Sequence, residues 1–143
     1  MTSSKILLSL VTVLMLSGCS QSPESSVASF YDNLKSGDVK SLQAFLGEEG
    51  APAVKLMASI SLCPKVRNEI GTGMIEKEDD QEACLSEAYT ELEYEIVSAD
   101  VSEDGETATV KAKSKYMGKE EEKTFNLIKT DDEWKMGKQS AAF

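Results

Sequence analysis

Enzyme chemistry needs proton carriers, nucleophiles or metal ligands, and this chain supplies a narrow set of them. Its 143 residues include no histidine. The commonest general base, the usual partner of a catalytic serine and the commonest metal ligand are therefore missing together. Three cysteines are present, Cys19, Cys63 and Cys84, with no Cys-x-x-Cys spacing of the redox kind. Carboxylates are plentiful, and Glu76 to Glu82 holds five acids and one lysine. That run lacks the alternating oxygen ligands and central glycine of a calcium loop, so it is expected to be a solvated loop leading into a helix. No catalytic constellation, cofactor site or metal site can be assembled from these residues. Net charge is −10, which opposes nucleic-acid phosphates and anionic lipid surfaces and favours solubility or a basic partner.

The elements that would position any site begin with a curled antiparallel sheet from Tyr94 to Gly137. Tyr94 to Val101 is β-branched and aromatic, and its alternation slips at Ile96-Val97, as a bulge would make it do. Asp104-Gly105 signals a turn. Thr107 to Tyr116 alternates cleanly, with Ala108, Val110 and Ala112 on one face and Thr109, Lys111, Lys113 and Lys115 on the other. Met117-Gly118-Lys119 turns the chain. Lys123, Phe125 and Leu127 then share a face opposite Thr124, Asn126 and Ile128. Thr130-Asp131-Asp132 turns again, and Trp134 and Met136 end the sheet. Ala108 and Ala112 leave room for bulk that Phe125 and Trp134 could supply. The lysine stripe would face Glu120 to Glu122 across the hairpin, in exposed pairs worth roughly 0.2–1 kcal/mol each. Its alternative use, binding an anion, is weakened by those same carboxylates.

Helices precede the sheet. Ser22-Pro23-Glu24 is a helix start, with a serine cap, proline at the first position and an acid in the first turn. Val27, Phe30, Tyr31 and Leu34 follow on one face. Ser36-Gly37 stops this helix, and Asp38 caps a short one that buries Leu42, Phe45 and Leu46. Gly50-Ala51-Pro52 opens a third, with Val54, Met57, Ala58 and Ser61 on one face and Leu56 and Ile60 beside it; Pro64 is expected to break it. Residues 65–74 are weakly patterned, with a short helix up to Ile70. Ala83, Leu85, Ala88 and Tyr89 suit a last helix that hands over near Leu92. The fold class is α+β, with N-terminal helices packed on a curled four-stranded antiparallel sheet.

The first residues have a different character. Lys5 precedes an apolar run from Ile6 to Leu16 that is too short for a spanning helix, which needs about 20 residues. A charged start, a short apolar centre and small residues mark an export signal. Leu16-Ser17-Gly18-Cys19 resembles the lipobox of bacterial lipoproteins in all four positions. The resemblance implies cleavage between Gly18 and Cys19 and a diacylglycerol thioether on Cys19, often with an acylated amine. Several acyl chains hold a protein firmly, at about 0.8 kcal/mol per buried methylene. Residues 1–18 would be the signal peptide, 19–22 the lipidated cysteine and tether, and 23–143 one domain. Loss of 1–18 removes Lys5 and no acid, taking the charge from −10 to −11. Ser20, rather than Asp, after the cysteine implies an outer-membrane anchor facing the periplasm in a Gram-negative source.

Export places Cys63 and Cys84 in an oxidising compartment, and two cysteines remain once Cys19 is assigned. A disulfide between them would close a loop of about 20 residues and stabilise by roughly 3 kcal/mol in the chain-entropy model. It would pin the weakly patterned segment. The alternative is two buried thiols.

The order of helices followed by a curled meander ending in Trp-Lys resembles the nuclear-transport-factor-2-like (cystatin-like) superfamily, and within it the lipoprotein branch called domain of unknown function 4878. Phe30-Tyr31-Asp32-Asn33-Leu34-Lys35-Ser36-Gly37-Asp38 is similar to that branch's opening Phe-Tyr-x-x-Leu-x-x-Gly-Asp. The stretch Asp104 to Val110, through Ile128-Lys129 to Trp134-Lys135, carries the rest. The resemblance implies a cone with a hollow between sheet and helices. Relatives use the hollow for small ligands, for isomerase or dehydratase chemistry, or not at all. Phe30, Tyr31, Leu34, Tyr89, Tyr116, Phe125 and Trp134 are the candidate lining, with core packing as the plainer role for each. The leading expectation is a non-catalytic, lipid-anchored envelope protein. It would bind a protein partner or a small apolar ligand on the concave side of its sheet. The rival expectation is an isomerase or dehydratase, which needs a desolvated carboxylate base and an oxyanion donor; Asp32 follows Phe30 and Tyr31 but should lie off the buried face. A third is a homodimer through the outer face, where Ile128 stands among polar neighbours.

Overall fold

The computed structural model describes residues 21–137. The expected signal segment, Cys19 and residues 138–143 lie outside the described residues. Helix α1 (Pro23–Ser36) starts as its sequence requires: the Ser22 hydroxyl accepts from the Ser25 N–H at 3.2 Å, and Pro23 occupies the first turn. It buries Val27, Phe30, Tyr31 and Leu34. Gly37 ends it at φ +73°, and a Cβ there would lie 2.3 Å from the Glu82 carbonyl oxygen. Only glycine lets the end of α1 sit this close to the last helix. Helix α2 (Val39–Leu46) is capped by Asp38, whose carboxylate accepts from the Ser41 N–H at 3.1 Å. After a 3-10 turn at Gly47–Glu49, helix α3 (Gly50–Ile60) buries Val54, Met57 and Ala58 and leaves Leu56 and Ile60 exposed.

The stretch after α3 departs from expectation in two places. Helix α3 ends at Ser61, before the proline. Pro64 instead opens helix α4 (Pro64–Ile70), at the position where its missing N–H costs nothing. The acidic run is mostly not loop. Glu78, Asp79 and Asp80 form the first turn of helix α5 (Glu78–Ala88), where carboxylates meet the unpaired N–H groups and positive end of the helix.

Between α3 and α5 the chain is held by polar clasps and one bridge. Arg67 donates to the carbonyls of Ser59, Gly71 and Gly73. Glu87 of α5 accepts from the Lys65 and Val66 N–H groups at 2.9 and 3.1 Å, capping α4 from across the gap. Buried Gln81 donates to the Ile75 carbonyl at 2.8 Å. Cys63 and Cys84 form a disulfide with their Cα atoms 5.0 Å apart, both sulfurs' residues buried.

The sheet is a four-stranded antiparallel meander in the order β1 (Glu93–Val101), β2 (Thr107–Tyr116), β3 (Lys119–Thr130), β4 (Glu133–Met136). It is curled and unclosed, and the fold is α+β. The β1–β2 register shifts between Ile96 and Ser98, so the slip in alternation at Ile96-Val97 is a bulge at Val97. Met117 and Gly118, and Asp131 and Asp132, all have positive φ, making two-residue turns whose twist suits a hairpin. Register puts Lys115 opposite Glu120 and Lys113 opposite Glu122 on the outer face. The inner face carries Ala108, Val110, Ala112, Phe125, Leu127, Trp134 and Met136, all buried under α1 and α2. Replacing Cys63 and Cys84 together by serine should lower stability by about 3 kcal/mol. Urea unfolding of the double variant against the oxidised parent measures it, and dithiothreitol should bring the parent to the variant's midpoint.

Candidate functional site

Helix α1 places Phe30 and Tyr31 over the middle of the sheet, and β3 places Phe125 beneath them. Ring centroids lie 5.6 Å apart for Phe30 and Phe125, 5.8 Å for Tyr31 and Phe125, and 5.3 Å for Phe30 and Phe45. Edge and tilted contacts at these separations are favourable for aromatic pairs. Leu34 lies buried one turn further along α1. Trp134 is 6% exposed, with the Lys129 ammonium 5.7 Å from its ring. Of the seven candidate lining residues, these five fill the concave face with side chains where a ligand would have to sit. Tyr89 and Tyr116 are separate: they form a half-buried pair 4.9 Å apart where α5 meets the end of β2.

The space that remains lies at the rim. One groove of about 310 Å³ runs between α1, α2 and β4, with Phe30, Phe45 and Trp134 at its base and Ser26, Ser29, Asn33 and Ser41 along its sides. A roomier one, about 620 Å³, lies between the end of α2 and β4. Leu46, Ile128 and Met136 give it an apolar floor, and Glu48, Glu49 and Lys135 give it charged sides. Ile128 is 44% exposed there.

Titratable groups gather at the other end of the concave face. Tyr31 stacks on Tyr94 with centroids 4.9 Å apart and planes 13° from parallel. The Tyr94 hydroxyl donates to Asp32 Oδ1 at 2.8 Å. Register brings Tyr94, Ser114 and Glu121 into one row beneath Tyr31. Burial pushes the Tyr31 phenol above its ordinary value, with a hydrogen bond to Ser114 opposing and the Glu121 charge adding to the rise. Burial also raises Tyr94, helped by the hydrogen bond and charge of Asp32. Lys123, on the same inner face, is lowered by burial, and Glu121 partly offsets this. Asp32 itself is exposed, so it is not the desolvated base that proton abstraction beside a carbonyl requires. The Tyr94–Asp32 pair spans 62 residues of chain, and no local pattern announces it.

Among the described residues no group of three or more Cys, Asp or Glu side chains is placed to hold a metal ion. No described helix is long and apolar enough to cross a membrane.

The raised Tyr31 phenol fixes the sign of an alkaline effect. Below its unfolded value of 10.0 both states are neutral there and its contribution is fully present. As pH rises further the unfolded chain ionises first, and stability is lost up to the folded value. Urea midpoints measured from about pH 9 to pH 11.5 should therefore fall less steeply for Tyr31→Phe than for the parent. The difference between the two proteins cancels the opposite contribution of Lys123.

No curated protein and no solved structure matches this chain. A family profile does match, over residues 17–137, and that span takes in the α1 motif, the clasped segment and the whole sheet. The chain therefore belongs to the DUF4878 family, a domain of unknown function.

Proposed function

We propose that this is a lipid-tethered cell-envelope protein of the nuclear-transport-factor-2-like type. In this reading it has no catalytic role and holds a protein partner at the groove between α2 and β4. The tether rests on the lipobox resemblance of Leu16-Ser17-Gly18-Cys19. Cys19 stands only four residues before the start of α1, so an acylated Cys19 would keep the domain close to a membrane surface. Helices wrapped on a curled meander support the superfamily reading. The outer-membrane address follows from Ser20 for a Gram-negative source.

The single observation that carries partner binding is the groove itself. An apolar lining with two carboxylates, Glu48 and Glu49, against one ammonium, Lys135, suits a partner that offers an apolar side chain flanked by basic groups. A chain of net charge −10 draws such a partner in from a distance. The packed rings on the concave face favour this over a small apolar ligand. The exposure of Asp32 favours it over isomerase or dehydratase chemistry.

Two experiments test the reading. Native mass spectrometry of protein extracted from its own membrane should find the chain starting at Cys19 with diacylglycerol mass, and Cys19→Ser should abolish that mass. Free, uncleaved chain in the soluble fraction would contradict it. In-cell cross-linking should trap a partner with the parent, and Ile128→Glu should reduce the yield about tenfold, as loss of an interface anchor does, without shifting the urea midpoint. Equal yields would remove the groove from the interface. A product of twice the chain mass would make the partner a second copy.

A further inference from the structure

Helix α3 is apolar on both sides. Of its 11 residues only Lys55 is charged. Val54, Met57 and Ala58 are buried, while Leu56 and Ile60, one turn apart on the other side, are 53% and 72% exposed. A helix that is apolar all round is ordinarily covered all round. Arg67 enlarges the exposed patch. The three carbonyls that it gathers belong to Ser59, Gly71 and Gly73, the chain neighbours of exposed Ile60, Ile70 and Met74. With Leu56 and Leu62, these make five of the nine large apolar side chains that stand exposed among the described residues. Apolar surface gathered in this way marks a contact with a partner or a membrane.

We propose that this face rests on the membrane, with Leu56, Ile60 and Leu62 in the boundary between headgroups and acyl chains, an inference that rests on the lipid tether proposed above. The polar groups of the patch already have partners. The Ser59 and Ser61 hydroxyls donate to the Lys55 and Met57 carbonyls, Lys55 pairs with Glu76, and Arg67 is spent on its three carbonyls. Hydrocarbon demands that satisfaction. A protein partner would find no aromatic residue in 51–75 and no free arginine to anchor on. Charge favours the same occupant. Acids outnumber bases 25 to 15 in the chain, yet residues 51–68 contain Lys55, Lys65 and Arg67 and no acid. Repulsion from anionic lipid is therefore weakest here, and aliphatic side chains beside basic ones suit the headgroup boundary. The position fits as well. Gln21, beside the tether, shares a groove with Ala44, and a Cβ on Gly50, the first residue of α3, would lie 2.2 Å from the Gln43 carbonyl oxygen. The tether and α3 thus meet the same half of α2. An anchored domain is already at high effective concentration beside the bilayer, so a small patch suffices to set its orientation.

Photo-cross-linking tests this on protein extracted from its own membrane and reconstituted in phosphatidylcholine vesicles. The photoreactive residue p-benzoylphenylalanine replaces Ile60 in one protein and Thr124, exposed on the outer face of the sheet, in the other. Intact mass should show a phosphatidylcholine adduct at position 60 in about tenfold higher yield than at position 124. Leu56→Glu should cut the yield at position 60 about tenfold, because a carboxylate is excluded from the acyl boundary. Equal yields at the two positions would overturn the proposal. So would a protein adduct at position 60, which assigns the face to a partner, or to a second copy if the adduct has twice the chain mass. The same spectra report acyl mass on Cys19 separately. Acyl mass without a lipid adduct at position 60 would overturn this orientation and leave the tether standing, whereas a chain without acyl mass would remove the tether and the inference with it.

Discussion

The fold depends on a match between small and large side chains across the middle of the sheet. Ala108, Val110 and Ala112 make a low strip along β2, with Phe125 beside Val110 in the register. Larger residues on β2 would hold α1 off the sheet. With this strip in place, Phe30 and Tyr31 come down onto Phe125, and Phe45 of α2 closes the cluster from the other side. Fully buried side chains of this size contribute roughly 1.5–3 kcal/mol each through burial alone. The register is fixed by the same match, since a one-residue slip would turn Lys111 and Lys113 inward and Val110 outward.

The clasped segment between α3 and α5 follows another logic. Its α4 helix buries no residue completely, so it cannot be held by core contacts of its own. The N–H groups at its start are met by Glu87 from outside it, and its own Arg67 ties it to the carbonyls of Gly71, Gly73 and Ser59. The disulfide then ties Cys63, just before α4, to the middle of α5. Removing conformational freedom from the unfolded chain is how such a crosslink compensates for a thin core.

These two regimes explain how much the sequence discloses. Where packing is periodic, the pattern is enough: the even alternation of β2, the i, i+3, i+4, i+7 face of α1 and the slip that becomes the Val97 bulge all correspond to observed elements. Where long-range polar contacts hold the chain, the pattern is silent. Nothing near Glu87 says that its carboxylate caps a helix 21 residues upstream. The acids of Glu78 to Asp80 look like solvated loop because charge alone does not separate a loop from a helix's first turn. The rim groove was equally hidden, apart from Ile128, whose exposure on a polar face was legible as an anomaly. Leu46 and Met136 join it only when α2 and β4 meet.

The distribution of space also bears on what a curled sheet covered by helices can do. A catalytic hollow must exclude water around a base while leaving room for substrate, and both conditions need the rings to stand apart. Here α1 presses three rings together, so the concave face is used for stability, and the tyrosine–carboxylate pair that could have been a proton relay ends at an exposed Asp32. Open space is then left to the periphery, where β4 is short and α2 ends in a 3-10 turn. A short edge strand beside an irregular turn leaves apolar side chains half covered at little cost to the core. That allows Ile128 to remain 44% exposed while Phe125, three residues earlier on the opposite face, is fully buried.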